Sequence, residues 1–450
     1  MTAVLAQSPQ RGSLRDPLPS HSAGVRAQTM ALPAWPVMLV LWGYPLFWAT
    51  GLLAFSTPLV ALPMLAFLLM RRRIDIVPGI LPWLGFVLWM IPSVLMLDRL
   101  GQILNLGIRI SQFLAIAIIM VYIVNARESL SPQRLLRGLT FVWCFIVVGG
   151  YLGMLFPEGR LTWTIGRLVP AALLENDYVA ELAFPGFAEI QTPWGAEEPF
   201  VRPSAPFAYT NGWGASIAIL TPIVVGYVVS KRTARSAWWL AFAVVAAVPP
   251  AVATTNRGLF VGLAVGIGYV LLRLLARGHW LPLIWVGLLS AAVGLMLVWS
   301  GMLDGIAQRQ ETVDTTEGRS TVYLETFQRT LDSPVLGWGV PRPGLDTEIY
   351  VGTQGAIWNA MFCFGFVGLG LFLAFLAGAV LRTWDAPNVA ALWVQAATVV
   401  ALVLSVFYGL DRHLLFVGVA AALMLREKSA GDSDWWTRAP VPFWSLRHAK

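Results

Sequence analysis

Residues 254–278 read TTNRGLFVGLAVGIGYVLLRLLARG, and from Gly258 to Leu272 they carry no charge. An α-helix rises 1.5 Å per residue, so about 20 mainly apolar residues cross the roughly 30 Å hydrocarbon layer of a bilayer. The stretch has that length, and its charges, Arg257, Arg273 and Arg277, stand at its two ends. A helix on the surface of a soluble protein would need a charged face. This segment has none and is read as a membrane span, which sets the fold class of the chain as an all-α, polytopic membrane protein.

Composition points the same way. The 450 residues are 57% hydrophobic and 12% charged, with a mean hydropathy of +0.68. Soluble domains carry about 25% Asp, Glu, Lys and Arg. Half of that leaves too little charge for a water-facing surface, which excludes a soluble enzyme, a secreted disulfide scaffold and a disordered chain. The two cysteines, Cys144 and Cys363, lie in apolar stretches and read as small buried apolar residues. The chain has no P-loop, no GxGxxG after a strand, no HExxH and no CxxC, and His21, His279, His413 and His448 are scattered, so no clustered metal site is expected. Residues 1–30 are polar, with Arg11, Arg15 and Arg26 and no apolar core before Ala31, so no signal peptide is expected.

Apolar runs predict twelve spans, near 34–52, 54–70, 78–97, 100–124, 138–156, 206–229, 237–253, 258–276, 280–300, 354–381, 387–407 and 412–425. Pro45, Gly51, Pro58 and Pro63 interrupt the first two, so one of them could be re-entrant or half-length. With both termini in the cytoplasm, a tail at 1–33 and another at 427–450, the inner loops receive Arg71–Arg73, Arg127, Arg134, Arg137, Lys231, Arg232, Arg235, Arg273, Arg277, Arg382, Arg426 and Lys428. This satisfies the positive-inside rule. The net charge of +7 is thus a matter of sidedness, and no nucleic-acid partner is expected.

Every basic residue on the expected outer side is an arginine, the side chain suited to forked capture of phosphate or carboxylate oxygens. Arginine also outnumbers lysine throughout the chain, so this bias alone accounts for the pattern equally well. Two outer segments, 157–205 and 301–353, are too long to be mere connections. The second should contain a helix from Arg319 to Leu331, with Val322, Tyr323, Phe327, Thr330 and Leu331 on one stripe and Asp332-Ser333-Pro334 as its stop.

Arginines at the outer ends of spans are the distinctive feature. Arg202 stands in VRPSAPFAYTNGWG, where Pro203, Pro206 and Gly212 make an irregular start to the sixth span and Asn211 lies on its first turn. Free N–H groups and the positive end of a helix dipole beside Arg202 would make an anion cradle. Arg257 follows a turn of only Thr254 to Asn256, which holds it at membrane depth, where a charge is costly unless it faces a cavity and a partner. Both could instead snorkel to the headgroups. Arg109 sits nine residues inside the fourth span and is expected to pair with an acid on a neighbouring span, while Arg412 would pair with Asp411. The acids Glu317, Glu325, Asp346 and Glu348 are expected on solvated loops, although one could act as a general base.

Four segments carry a resemblance. RPSAPFAYTNGWGASIAILTP (202–222), TTNRGLFVGL (254–263), GRSTVYLETFQRTLDSPVLGWG (318–339) and GTQGAIWNAMFCFGFVGLGLFL (352–373) look, in order and spacing, like the core of the O-antigen ligase and O-antigen polymerase (WaaL and Wzy) superfamily. They cover roughly residues 200–375. The resemblance implies a GT-C-like, metal-independent glycosyltransferase without a cofactor. It would move a glycan from a polyprenyl-pyrophosphate carrier to a glycan, lipid or protein acceptor on the outer face of the bacterial cytoplasmic membrane, in cell-surface polysaccharide assembly. The positions matching the family's pyrophosphate-gripping arginines are Arg202, Arg257 and Arg319, with Asn211 and Gln354 beside them.

The sequence departs from that pattern in one place. The family carries a His-Asn pair before its Gly-x-x-Gly, and counting back from Gly365 and Gly368 puts Gln354-Gly355 there. Glu348, Asp346 or His413 would then supply the base, or the transition state is dissociative enough to need little of one. A polymerase of lipid-linked repeat units shares the same donor site. A flippase of lipid-linked sugar is less favoured, because the sequence suggests no paired discontinuous helices.

Overall fold

The structure is a computed structural model that describes residues 31–175, 177–191, 199–231, 233–280, 284, 287, 315–345 and 349–431. Most of both tails (1–30 and 432–450), nearly all of the expected ninth span, and Asp346 and Glu348 lie outside these residues. What is described is mainly helical: α1 (Trp35–Trp42), α2 (Tyr44–Ala49), α3 (Leu53–Leu69), α4 (Leu81–Met90), α5 (Leu100–Asn125), α6 (Pro132–Leu155), the short α7 (Ala171–Leu174) and α8 (Asp177–Ala183), α9 (Thr210–Lys231), α10 (Ala234–Ala253), α11 (Arg257–Ala276), α12 (Thr315–Leu331), α13 (Ala356–Arg382), α14 (Val389–Leu404) and α15 (Leu414–Ser429). Two antiparallel hairpins complete the description, β1 (Ala188–Gln191) with β2 (Phe200–Pro203), and β3 (Arg342–Pro343) with β4 (Tyr350–Val351).

Among the described residues, six helical segments are long and apolar enough to cross a membrane, and three shorter apolar helices accompany them. The protein is a helical, membrane-embedded one. Its helices alternate between two ends, and one end gathers the basic residues. There Arg71 donates to the Asn125 carbonyl at 2.9 Å, Arg277 to Ala386 O at 2.9 Å, and Arg426 to Leu130 O at 2.9 Å. On the same end the first turns of α10 expose Trp238, Trp239 and Phe242 beside Arg235, an aromatic girdle of the kind that sits at a membrane surface.

At the centre is α9, packed on α6, α10, α11 and α14. Small residues let these helices approach closely, as membrane packing requires. A Cβ added at Gly262 of α11 would stand 2.8 Å from Ala218 of α9, and one at Gly150 of α6 would stand 3.0 Å from Trp213.

Several boundaries differ from those expected. The first span is two short helices joined at Gly43, because Pro45 has no N–H to continue the ladder. The third is interrupted at Ile91-Pro92, where α4 gives way to a 3-10 turn, Pro92–Met96. The sixth begins at Thr210 rather than 206, and α6 begins at Pro132, capped by Ser131. Cys363 is buried as expected, whereas Cys144 is exposed on the outer surface of α6. In a membrane an apolar residue is as stable against lipid as in the core, so apolarity alone does not decide between them. The chain does not leave its last helix at Glu427. Instead α15 continues to Ser429, and Arg426 and Glu427 are buried and paired with each other at 2.7 Å.

The largest departure is inside α13, which is not continuous. Gly365 has φ 68° and ψ −174°, and the loop after α12 enters the break: Phe366 N–H donates to Pro334 O, and the Trp338 and Gly339 N–H groups donate to Phe362 O and Cys363 O, all at 2.8 Å. Trp89 Nε1 reaches Phe364 O at 3.1 Å, and the Ser93 hydroxyl reaches Leu336 O at 2.7 Å. The interrupted α4 and the broken α13 thus face one another across the 332–339 loop, whose backbone groups satisfy theirs, as irregular backbone at membrane depth requires.

Candidate functional site

The non-basic ends of the helices converge on the loop between α14 and α15, residues 405–413. Its backbone caps α13: Ser405 O and Tyr408 O accept from the Ile357 and Ala356 N–H groups at 3.0 and 2.9 Å, and Val406 O accepts from Trp358 Nε1 at 3.0 Å. Gly355 packs so closely on Val406 that a Cβ would stand 2.4 Å from its carbonyl oxygen. Its side chains reach three other helices. Tyr408 donates its hydroxyl to Asn256 at the start of α11 (2.6 Å), Asp411 faces Arg109 of α5 (3.6 Å), and His413 meets the Gly212 carbonyl of α9 (2.9 Å).

Arg257 opens α11 on a turn that is held from three sides. Asn256 is the N-cap, its Oδ1 accepting from Leu259 N–H at 3.1 Å and its amide donating to Thr210 O and Asn211 Oδ1 at 3.4 Å. Arg202 donates from Nε to Thr254 O at 2.9 Å. Between them Thr255, a β-branched residue, has φ 47°, a conformation that persists only where its surroundings impose it. Arg257 itself is exposed, and among the described residues no hydrogen bond or ion pair engages it.

Arg202 is placed differently from the expected cradle. It is 6% exposed, and Glu189, its cross-strand partner in the β1–β2 hairpin, lies 3.9 Å from its Nη1. Glu189 also accepts the Thr210 N–H at 2.8 Å. A carboxylate of the chain itself therefore sits where an anion at the start of α9 was expected. Arg202 is a buttress for the 254–256 turn.

His413 does not face the open end either. It is 7% exposed and stacked on Phe207. A carbonyl can only accept, so in the neutral ring Nε2 carries the proton, and Nδ1 is buried without a hydrogen-bond partner among the described residues. So placed, it lies apart from the exposed groups of the site. Within the 405–413 loop the carboxylate is Asp411, whose side chain is 42% exposed and held by Arg109. Arg109, expected to pair with an acid on a neighbouring span, pairs instead with this acid of the 405–413 loop and also donates to Asn359 Oδ1 of α13. Asn359 in turn donates to Gly352 O at 2.7 Å. Asp411 is thus paired with Arg109 and not, as expected, reserved for Arg412.

The expected α12 is present and packs on α13, with Tyr323 stacked on Trp358 at 4.4 Å. Its buried face is Val322, Glu325, Thr326 and Thr330, whereas Phe327 and Leu331 of the expected stripe are exposed. Glu325 is therefore not a solvated loop acid: it accepts the Leu345 N–H at 2.8 Å and pairs with Arg329 at 3.4 Å. The backbone of Arg319 lies in α12 and its side chain is outside the described ones. Asn211 is exposed on the first turn of α9 and Gln354 is half-buried just before α13, its amide donating to Thr353 at 3.4 Å.

Arg257, Arg202, Asn211 and His413 thus come together around the 405–413 loop, with Arg109, Asn359 and Asp411 on its other side. Glu189, Asn256, Asn359 and Tyr408 were not singled out from the sequence. Asn256 stood one residue before Arg257 in an N-cap position and was legible. Asn359 lies in an apolar run that reads as plain span. Comparison with models of known families and with curated proteins finds no match for the chain.

Proposed function

We propose that the protein is a membrane glycosyltransferase with twelve spans, a GT-C-like arrangement and both termini in the cytoplasm. It would transfer a glycan from a polyprenyl-pyrophosphate carrier to an acceptor hydroxyl at the outer face of the cytoplasmic membrane, as the resemblance to O-antigen ligases implies. The observation that carries this is Arg257: an exposed guanidinium at the first position of a membrane span, presented by a turn that Arg202, Asn256 and Tyr408 clamp. Such a group is costly at membrane depth unless it meets an anion.

In this reading Arg257 binds the pyrophosphate through two parallel N–H donors and stabilises the charge that grows on it as the bond between the anomeric carbon and the phosphate oxygen breaks. The acceptor oxygen bonds to the anomeric carbon, its proton passes to the Asp411 carboxylate, and polyprenyl pyrophosphate leaves. Arg109, itself held by Asn359, aims the Asp411 carboxylate. A polymerase would use the same donor groups and differ only in its acceptor. The broken α13 is the feature a transporter would share, but its freed carbonyls at Phe362 and Cys363 are taken by Trp338 and Gly339.

The test is Arg257→Lys, which keeps the charge and loses the fork. In cells lacking the native copy, this variant should accumulate untransferred lipid-linked glycan while reaching wild-type levels in the membrane, and Arg257→Ala should be worse. Wild-type transfer by both would make Arg257 a headgroup anchor.

A further inference from the structure

Gln102, Asn105, Arg109 and Gln112 follow one another on α5 at spacings of three, four and three. At about 100° per residue they fall, with Gly101, within an arc of about 100°. On one side of that arc lie Leu100, Ile103, Leu104 and Ile108, all exposed, and on the other Leu106 and Phe113, both buried. The polar arc is therefore the seam between the lipid-facing stripe and the packed stripe.

A neighbouring helix would normally close such a seam. Among the described residues it is closed only in part. The Gln112 amide donates to Ala54 O at 2.5 Å, in the first turn of α3, so α3 begins level with Gln112. The residues of α5 from Leu100 to Ser111 continue past it by about 18 Å at 1.5 Å per residue. Along that length Asn105 is exposed and no hydrogen bond engages its side chain among the described residues, and a Cβ on Gly101, at the edge of the arc, would meet nothing within 4 Å. Gln102 spends its carbonyl on the Asp98 N–H at 3.0 Å and keeps its amide donors. Arg109 at the foot of the arc is the residue that holds Asp411. A carboxamide left facing hydrocarbon is costly, which favours a notch open to water.

We propose that this notch is a sugar subsite, resting on the glycosyl-transfer reading above: Gln102 and Asn105 take hydroxyl groups of the acceptor glycan and Arg109 positions the hydroxyl that Asp411 deprotonates. Carboxamides both donate and accept, which matches a neutral polyol, and Asn105 and Gln102 stand about one and two turns above the guanidinium. Acceptor rather than donor is assigned because the arc ends at the carboxylate and not at Arg257, which lies across the 405–413 loop.

Two measurements test this on the full-length chain carrying Cys144→Ser, which removes the exposed native thiol. First, an impermeant charged thiol reagent added outside should modify Asn105→Cys quickly and Leu104→Cys, on the lipid stripe, at least about tenfold more slowly. Equal protection of both overturns the proposal, because the arc then faces lipid. Second, in cells lacking the native copy, Asn105→Leu and Gln102→Leu should each lower glycan transfer about tenfold, the effect of one lost hydrogen bond to a bound ligand, while Leu104→Ala transfers as wild type. Wild-type transfer by both, with Arg257→Lys defective, overturns the subsite and leaves the glycosyltransferase standing. A notch that touches only lipid headgroups gives this result. Wild-type transfer by Arg257→Lys as well removes the functional reading and the sugar subsite with it.

Discussion

Replacing Arg202 by methionine separates a residue that grips substrate from one that holds the residue that does. Methionine keeps much of the apolar stem and removes a guanidinium that is 6% exposed. Thr254 O then loses a 2.9 Å hydrogen bond, and the Glu189 carboxylate loses a cation 3.9 Å away. At that distance and an effective dielectric constant of about 20, the attraction is about 4 kcal/mol, and stranding one partner of a buried pair typically costs about 3–5 kcal/mol. Glu189 keeps the Thr210 N–H at 2.8 Å, which puts the expected loss of stability at the low end, about 3 kcal/mol. Adding Glu189→Gln removes the stranded charge and should restore about 1–2 kcal/mol. Reversible unfolding in mixed micelles measures both. Transfer from a lipid-linked donor in proteoliposomes measures the function: a buttress acts only through Arg257, so Arg202→Met combined with Arg257→Ala should be no slower than Arg257→Ala alone. If the two losses multiply, Arg202 touches the donor itself. If Arg202→Met unfolds within about 0.5 kcal/mol of wild type, the pair is solvated and there is no buttress.

The break in α13 and the sidedness of the chain are open to simpler tests. Gly365→Ala would place a side chain at φ 68° with its Cβ 2.3 Å from Val335 O, and should destabilise by at least about 3 kcal/mol, whereas Gly370→Ala, with nothing within 4 Å, should be neutral or stabilise by up to about 1 kcal/mol. Unfolding free energies in the same micelles check the pair, and equal effects would mean that α13 is continuous. With Cys144→Ser as background, a cysteine at Ile190 should react with an impermeant reagent outside intact cells and one at Glu128 should not; the reverse pattern would invert the orientation.

Much of the fold was legible because lipid is an undemanding solvent for side chains and an exacting one for backbone: about 20 apolar residues in a row have few alternatives to a spanning helix. Arginines at helix ends likewise gather at one end of the described residues, as Arg71, Arg277 and Arg426 do. The same uniformity hides what breaks the pattern. GFVGLGLFL at 365–373 scans as continuous helix, and only the loop from Pro334 to Gly339, arriving from far along the chain, requires Gly365 to leave the helical region. Cys144 was misplaced for a related reason, since the core and the lipid ask for the same apolar residue.

The site was legible in its arginines and not in their partners. A guanidinium in an apolar chain is conspicuous, and spacing alone located Arg109, Arg202 and Arg257. Which of them is free to bind is decided by acids and carbonyls that only the folded chain brings near. Glu189 reaches Arg202 across a β-hairpin, and nothing in a short outer strand announces that one of its carboxylates will be 11% exposed and capping a helix. Asp411 reaches Arg109 from the far end of the sequence. The consequence is an ordering that composition could not give. Arg202 and Arg109 are neutralised at close range and serve to hold Thr254 and Asp411, while Arg257 is left with no such partner among the described residues. Of these three, Arg257 is the guanidinium that an anion arriving at this end would find uncommitted among the described residues, and the turn that presents it is the one that Arg202, Asn256 and Tyr408 hold.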